Sequence, residues 1–358
     1  MPSKWLPQPV VASLMAGLLT CLLPSNQFAQ VKKGGSTTTA TSAATSFRGG
    51  ATGCSGLALG NVLSIVNSGT LSVSGGAQEA VSLAESVAGV FSAETLHATA
   101  IGQGNVAASE SSAANISVAT GGILIAAGSI TADFAMSNST ATCSSNGPAA
   151  SGQVQVSGLV IEGQSIAVTG QANQTVVVNG NTVIINEQVV SQAATTADIT
   201  VNALHIMTNT GLNLIFGSSS AGITCGSPPK PPPPCNDFVT GGGWITGTPS
   251  GAKANFGVAG GIKNGAYWGH LNYIDHGIGM HVKQTAVTSY AVNSMYPNYC
   301  RDIGYEVTID GAAGTAWVQV CDNGEPGRND FFQINLLPNG YHAAGDLGGG
   351  NIQLHKCQ

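Results

Sequence analysis

The stretch "TVVVNGNTVII", residues 175–185, limits the fold more than any other part of the chain. Two β-branched runs flank Asn179-Gly180, the dipeptide best suited to a tight hairpin turn that needs two left-handed residues. The same style fills residues 51–225. "QVQVSGLVI" alternates Val154, Val156 and Val160 with Gln153, Gln155 and Ser157, the period of a half-buried strand. "ADITVNALHIM" sets Ile199, Val201, Ala203, His205 and Met207 on one face. Only residues 77–90 suit a helix, and weakly. Many short strands with turn residues between them predict a β-sandwich or barrel.

Beyond residue 235 the style repeats with more aromatics. Trp244, Phe256, Tyr267, Trp268, Tyr273, Tyr290, Trp317, Phe331 and Phe332 lie in or beside strand-like runs. "IGYEVTIDGAAGTAWVQVC" folds back on a Gly-rich turn at 310–314, which sets Cys321 opposite about residue 302. Between the halves lies "GSPPKPPPPC", residues 226–235, whose proline run forms an extended, semi-rigid spacer. The chain is therefore expected to be all-β, with two β-sandwich or barrel-like domains, 51–225 and 236–358, joined by the Pro-rich linker 226–235. Few contacts should cross such a spacer.

The N-terminus reads as an export signal, residues 1–29: Lys4 supplies the positive charge, residues 10–23 the apolar stretch, and Ala29 the last residue before cleavage. The apolar stretch is shorter than the ~20 residues of a membrane span, so the mature chain is expected to carry no transmembrane segment. Residues 30–50 are small, polar and aperiodic, the composition of a disordered segment. Signal removal leaves seven of the eight cysteines, read as disulfide partners in an exported chain. The expected bridges are Cys300–Cys321 across the hairpin, Cys235–Cys357 between the ends of the second domain, and Cys143–Cys225 in the first, leaving Cys54. Cys54–Cys225 competes with the last of these. From Ala51 to Cys225 there is no Lys or Arg, against eight carboxylates, so this half repels a phosphate backbone and nucleic acid is excluded as a partner.

Two resemblances cover most of the mature chain. "SGLALG" (55–60), "SGQVQVSGLVIEG", "IINEQ", "TVNALHIM" and "AGITC" (221–225) resemble the bacterial choice-of-anchor P family over about residues 55–225. "DFVTGGGWI" (237–245), "ANFGVAGGIKNG", "WGHLNYIDH", "DNGEPGRNDFFQI" and "GGGNIQLH" resemble, over about 236–357, the domain that commonly follows choice-of-anchor modules. The resemblance implies an exported bacterial surface module with no assigned enzymatic activity. The usual C-terminal attachment signal is not recognisable after "GGGNIQLHKCQ".

Three sets of residues are candidates for chemistry. Asp322, Glu325 and Asp330, with Gly324 and Gly327 between them, offer hard oxygen ligands for calcium, although such residues also make up any long hairpin loop. The plain-loop reading makes Asp330→Asn nearly silent. His270, Asp275, His276 and His281 have zinc-ligand chemistry, but strand alternation puts His270 and Asp275 on opposite faces, and turn-fixing hydrogen bonds are the simpler role. His97 and His205 read as satisfied core or edge residues. No nucleophile elbow, metalloprotease helix or phosphate-binding loop is present, and "TGGGW" (240–244) reads as close strand packing. The expected function is that of a secreted or cell-surface protein, non-enzymatic, acting in adhesion or envelope interaction. Its ligand would be extracellular or part of the cell envelope, glycans included, and it would need no cofactor unless the loop holds calcium. The alternative is a secreted polysaccharide-active hydrolase or carbohydrate-binding protein, with Trp244, Trp268 and Tyr267 as a sugar-stacking floor.

Overall fold

The computed structural model describes residues 45–120, 128–226, 236–263, 265–325 and 327–356. The regular structure there is β, apart from one 3-10 turn at Gly327–Asn329. Among the described residues no helix is long and apolar enough to cross a membrane. The expected all-β class is observed. The signal segment 1–29, linker residues 227–235, and Cys235 and Cys357 lie outside the described residues.

In chain order the first half runs β1 (Ser46–Ala58), β2 (Asn61–Asn67), β3 (Gly76–Val87), β4 (Phe91–Gln103), β5 (Val106–Ala119), β6 (Ser129–Ser144) and β7 (Gly147–Ser157). It continues through short β8 (Val160–Ile161) and β9 (Gln164–Ser165), then β10 (Gln174–Val178), β11 (Asn181–Gln192), β12 (Thr196–Met207) and β13 (Asn213–Thr224). A six-stranded sheet, ordered β10-β11-β12-β13-β1-β2, faces a seven-stranded one, β3-β4-β5-β6-β8-β9 with β7 also on β6. Between them lies an apolar core that includes Leu96, Ile130, Ile185, Leu204 and Phe216. The Asn179-Gly180 hairpin forms as expected, both residues left-handed at φ 51° and 79°, joining β10 to β11.

Two local expectations are corrected. Residues 46–50 belong to β1, because β1 pairs along β13 from Ser46↔Thr224 onward and Phe47 is buried among Ile199, Val201 and Ile223. Residues 76–87 are a strand, β3, paired along β4 from Gly76↔Gly102 to Val87↔Phe91. The Ala- and Glu-containing sequence has weak helical preference, and sheet pairing overrides it.

The second half is one nine-stranded sheet: β14 (Phe238–Ile245), β15 (Ala254–Lys263), β16 (Ala266–Asp275), β17 (Met280–Val292), β18 (Cys300–Ile309), β19 (Ala312–Cys321), β20 (Phe331–Leu337), β21 (His342–Asp346) and β22 (Gly349–His355). Its spatial order is β21-β20-β19-β18-β17-β16-β15-β14-β22. Phe256 on β15 and Phe332 on β20 stack with ring centroids 4.0 Å apart. Strands five places apart in a flat sheet would be separated by about 24 Å. The sheet therefore curls into a half-barrel around its own core of Phe256, Leu271, Tyr273, Ile303, Val318 and Phe332.

The outer wall of that half-barrel covers the far side of the seven-stranded sheet. β4 and β5 consequently show nearly unbroken runs of buried residues, as strands do when both faces are covered. The layers are thus six-stranded sheet, seven-stranded sheet and half-barrel wall, and Ser42–Gln358 is one compact unit. The expectation of few contacts across the linker fails, because small residues on both walls let the sheets close. A Cβ placed on Gly242 would lie 2.7 Å from Ser112 Oγ, and one on Gly257 3.4 Å from His97 Cβ.

Two bridges form as expected, Cys143–Cys225 and Cys300–Cys321, and Cys54 is buried and free. The second hairpin turns on two residues, Asp310 and Gly311, since Ile309 pairs with Ala312. That turn is tighter than the 310–314 expected, so Cys321 faces Cys300 directly rather than residue 302.

Candidate functional site

The loop after β19 does not assemble its three carboxylates into a cage. Asp322 accepts the Gly324 N–H at 3.1 Å and the Leu354 N–H at 2.9 Å on its two oxygens. Glu325 Oε1 accepts from the Asn351 side-chain amide at 2.9 Å. Asp330 is fully buried, with Oδ1 on the Asn323 N–H at 2.8 Å and Oδ2 on the Ile352 N–H at 2.7 Å. Burial pushes its pKa up to about 7, against the pull of those two amides and with help from Asp322 and Glu325. The carboxylates are spent on the loop's own amides and on fastening the loop to β22. Among the described residues, no group of three or more His, Cys, Asp or Glu side chains has metal-holding geometry.

The histidine set diverges as strand alternation requires. Asp275 is buried on the half-barrel side, accepting from Tyr341 Oη at 2.6 Å and from the Gly277 N–H at 2.8 Å, which fixes the turn. His270 points the other way, its Nδ1 3.2 Å from Glu79 Oε2. His276 Nε2 lies 3.5 Å from Glu94 Oε2, and His281 is exposed.

His270 belongs to a buried polar layer that the sequence reading did not anticipate. Its ring centroid is 5.3 Å from that of His97 on β4. His97 Nε2 is 3.3 Å from Glu110 Oε1 on β5, yet that contact is off-line, and neither atom completes a hydrogen bond. Glu110 Oε2 accepts the Thr240 hydroxyl at 2.9 Å. Thr240 Oγ1 lies 3.0 Å from His355 Nε2. Thr240 has one hydroxyl hydrogen and gives it to Glu110, so His355 Nε2 is the donor in the last contact. Burial lifts Glu110 to about 8. It lowers His355 to about 4, and burial with His270 nearby holds His97 well below its ordinary value. Burial thus favours the neutral forms of Glu110, His355 and His97. His97 is therefore not the satisfied core residue expected; both ring nitrogens are without a hydrogen-bond partner. Its members come from β4, β5, β14, β16 and β22, so no local motif marks them. The unbroken small-residue run "ASESSAAN" around Glu110 is the one signal that both faces of β5 are covered.

The aromatic floor is not formed. Trp268 shares its cross-strand row with Gly261 and Phe238, and Phe238 is six residues along β14 from Trp244, about 20 Å at strand rise. Trp244 instead packs on Ala114, Phe134 and Met136 of the seven-stranded sheet. Tyr267, next to Trp268 on β16, points to the opposite face by strand alternation.

The solvent-facing side of β17–β21 is different in kind. Cross-strand pairing lines up Ser289, Gly304, Trp317, Asn335 and His342 in one row, with Asp302, Gln319 and Gln333 in the next. Trp317 is 39% exposed. Asn335 Oδ1 is 2.8 Å from His342 Nδ1. The β17–β18 loop is pinned to this face by Asn293 Nδ2, which donates to both oxygens of Asp302 at 3.0 and 3.1 Å. That loop carries Tyr296 and Tyr299, 43% and 37% exposed, with ring centroids 5.6 Å apart.

No family model and no curated protein matches the chain. Among solved structures, the crystal structure of kievitone hydratase from Nectria haematococca aligns over 88% of this chain and 89% of that one, at 8% identity and a TM-score of 0.18. A likeness that low carries no argument about fold or activity.

Proposed function

We propose that this chain is an exported, non-enzymatic binding protein that works at or beyond the cell surface in adhesion or envelope interaction, as its resemblance to choice-of-anchor modules suggests. One observation carries the reading: reactive chemistry and solvent access are separated. The cluster of acid–base groups that the fold brings together, His97, Glu110 and His355, is packed between sheets, and His97 and Glu110 are almost wholly without solvent exposure. The solvent-facing rows around Trp317 are mainly aromatic, amide and hydroxyl, with His342 bonded to Asn335 and Asp302 to Asn293. A general acid or base must come within about 3 Å of the proton it moves, which the sealed layer prevents. The two disulfides fit an oxidising compartment. The hydrogen bonds of Asp322, Glu325 and Asp330 within the loop and to β22 support reading the loop 322–330 as a structural clasp.

The test is retention of labelled full-length protein on intact cells and isolated envelope fragments, run beside release of reducing sugar from a polysaccharide panel. Saturable retention without product release is expected. Release of product by the wild-type protein, or no retention on any surface, would overturn the reading.

A further inference from the structure

The half-barrel has one face that the rest of the molecule leaves open, and its chemistry is selective. Trp317 stands at the centre of a five-strand row about 19 Å across at ordinary strand spacing. Beside it on β18 is Gly304, which has no side chain to rise above the ring. On the other side Asn335 and His342 form a hydrogen-bonded pair, and the next row adds two glutamines. These two rows contain no Lys or Arg, and their one carboxylate, Asp302, is held by Asn293.

From this geometry we infer that the outer face of β17–β21 is a binding site for a neutral glycan, with a sugar ring stacked on Trp317. This rests on the proposed binding role and names its ligand class. The electron-rich face of an indole attracts the weakly positive C–H groups on one face of a pyranose. The flanking amides both donate and accept, as the equatorial hydroxyls around such a ring require. A protein partner would want a broad apolar centre with few exposed amides, whereas here a single large ring is framed mainly by polar groups, with Leu337 the one exposed aliphatic side chain on the adjoining row of β18–β20. A polyanion would want cations, which these rows do not supply. The Tyr296–Tyr299 pair, on the loop tied to Asp302, provides a second aromatic surface for a longer chain.

The experiment titrates full-length protein with soluble neutral polysaccharides (β-glucan, xylan, mannan and chitin oligomers), reading tryptophan fluorescence and calorimetric heat. The same preparation is tested for retention on envelope fragments. At least one glycan should bind, and Trp317→Ala should weaken it roughly tenfold or more, as loss of a central aromatic anchor does, with an unchanged circular dichroism spectrum. Trp317→Phe should recover part of the loss. Equal binding by Trp317→Ala, or no binding by any neutral glycan, overturns the glycan site. If envelope retention then persists in the variant, only this site is wrong; if retention is absent in the wild type too, the binding role falls with it.

Discussion

Asp330 joins two segments that the chain brings together only after folding: its oxygens hold Asn323 in the loop and Ile352 on β22. Replacing one oxygen by an amide sets a donor against a backbone N–H that has no other acceptor. Asp330→Asn should therefore destabilise by about 1–3 kcal/mol, the usual effect of an unsatisfied buried donor, read as a lower urea midpoint. Added calcium or chelator should leave both proteins unchanged, and a calcium-dependent midpoint in the wild type would restore the metal reading. This corrects the near-silent substitution expected of a plain loop. The loop's turn character was legible in its Gly, Asn and Asp content, but its main anchor was not, because an amide 22 positions further on carries no side-chain signature.

Among the elements, the glycines of β14 and β15 show which packing is tight and which is merely close. A Cβ on Gly243 would lie 2.4 Å from the backbone oxygen of Gly349 on β22, whereas one on Gly257 meets His97 at ordinary contact distance, 3.4 Å. Backbone cannot rotate away as a side chain can. Gly243→Ala should thus force β14 from β22 and destabilise by roughly 1–3 kcal/mol or more, in the manner of overpacking, while Gly257→Ala should change stability by well under that. Thermal denaturation of the two variants compares them directly, and equal effects would show that the β14–β22 seam can relax. "TGGGW" was legible as close strand packing, and the structure identifies β22 and the neighbouring sheet as what approaches. The hairpins were legible for a related reason, since Asn179-Gly180 declares its left-handed turn locally, while the Asp310-Gly311 turn was read only as part of the wider Gly-rich stretch 310–314. β3 was not, because its strand state is decided by pairing with β4 rather than by its own residues.

At the scale of the whole molecule, the proline linker suggested independence, and the sealed polar layer shows why that failed. His97, Glu110, Thr240 and His355 are unremarkable in sequence and matter only once two sheets close over them. Their titration gives the fold a pH dependence whose sign can be worked out. Glu110, raised to about 8, and Asp330, raised to about 7, bind protons more tightly folded than unfolded. Their stabilisation is full below the unfolded carboxyl values near pH 4 and is lost as pH rises through the folded ones. His355, lowered to about 4, and His97, held well below its ordinary value, do the reverse: their contribution is present above the unfolded value near 6.5 and is lost as pH falls below it. From about pH 4.5 to 6.5 the two effects oppose one another, and stability should be nearly flat. Above about 6.5 only the carboxyls titrate, so stability should fall toward pH 8, Glu110 contributing on the order of 2 kcal/mol at about 1.4 kcal/mol per unit. Denaturant midpoints across that range should show the plateau and then the decline, and Glu110→Gln, which stays neutral, should remove most of the decline. A variant that keeps the full alkaline loss would mean that Glu110 ionises freely in the folded protein and that the layer between the sheets is open to water.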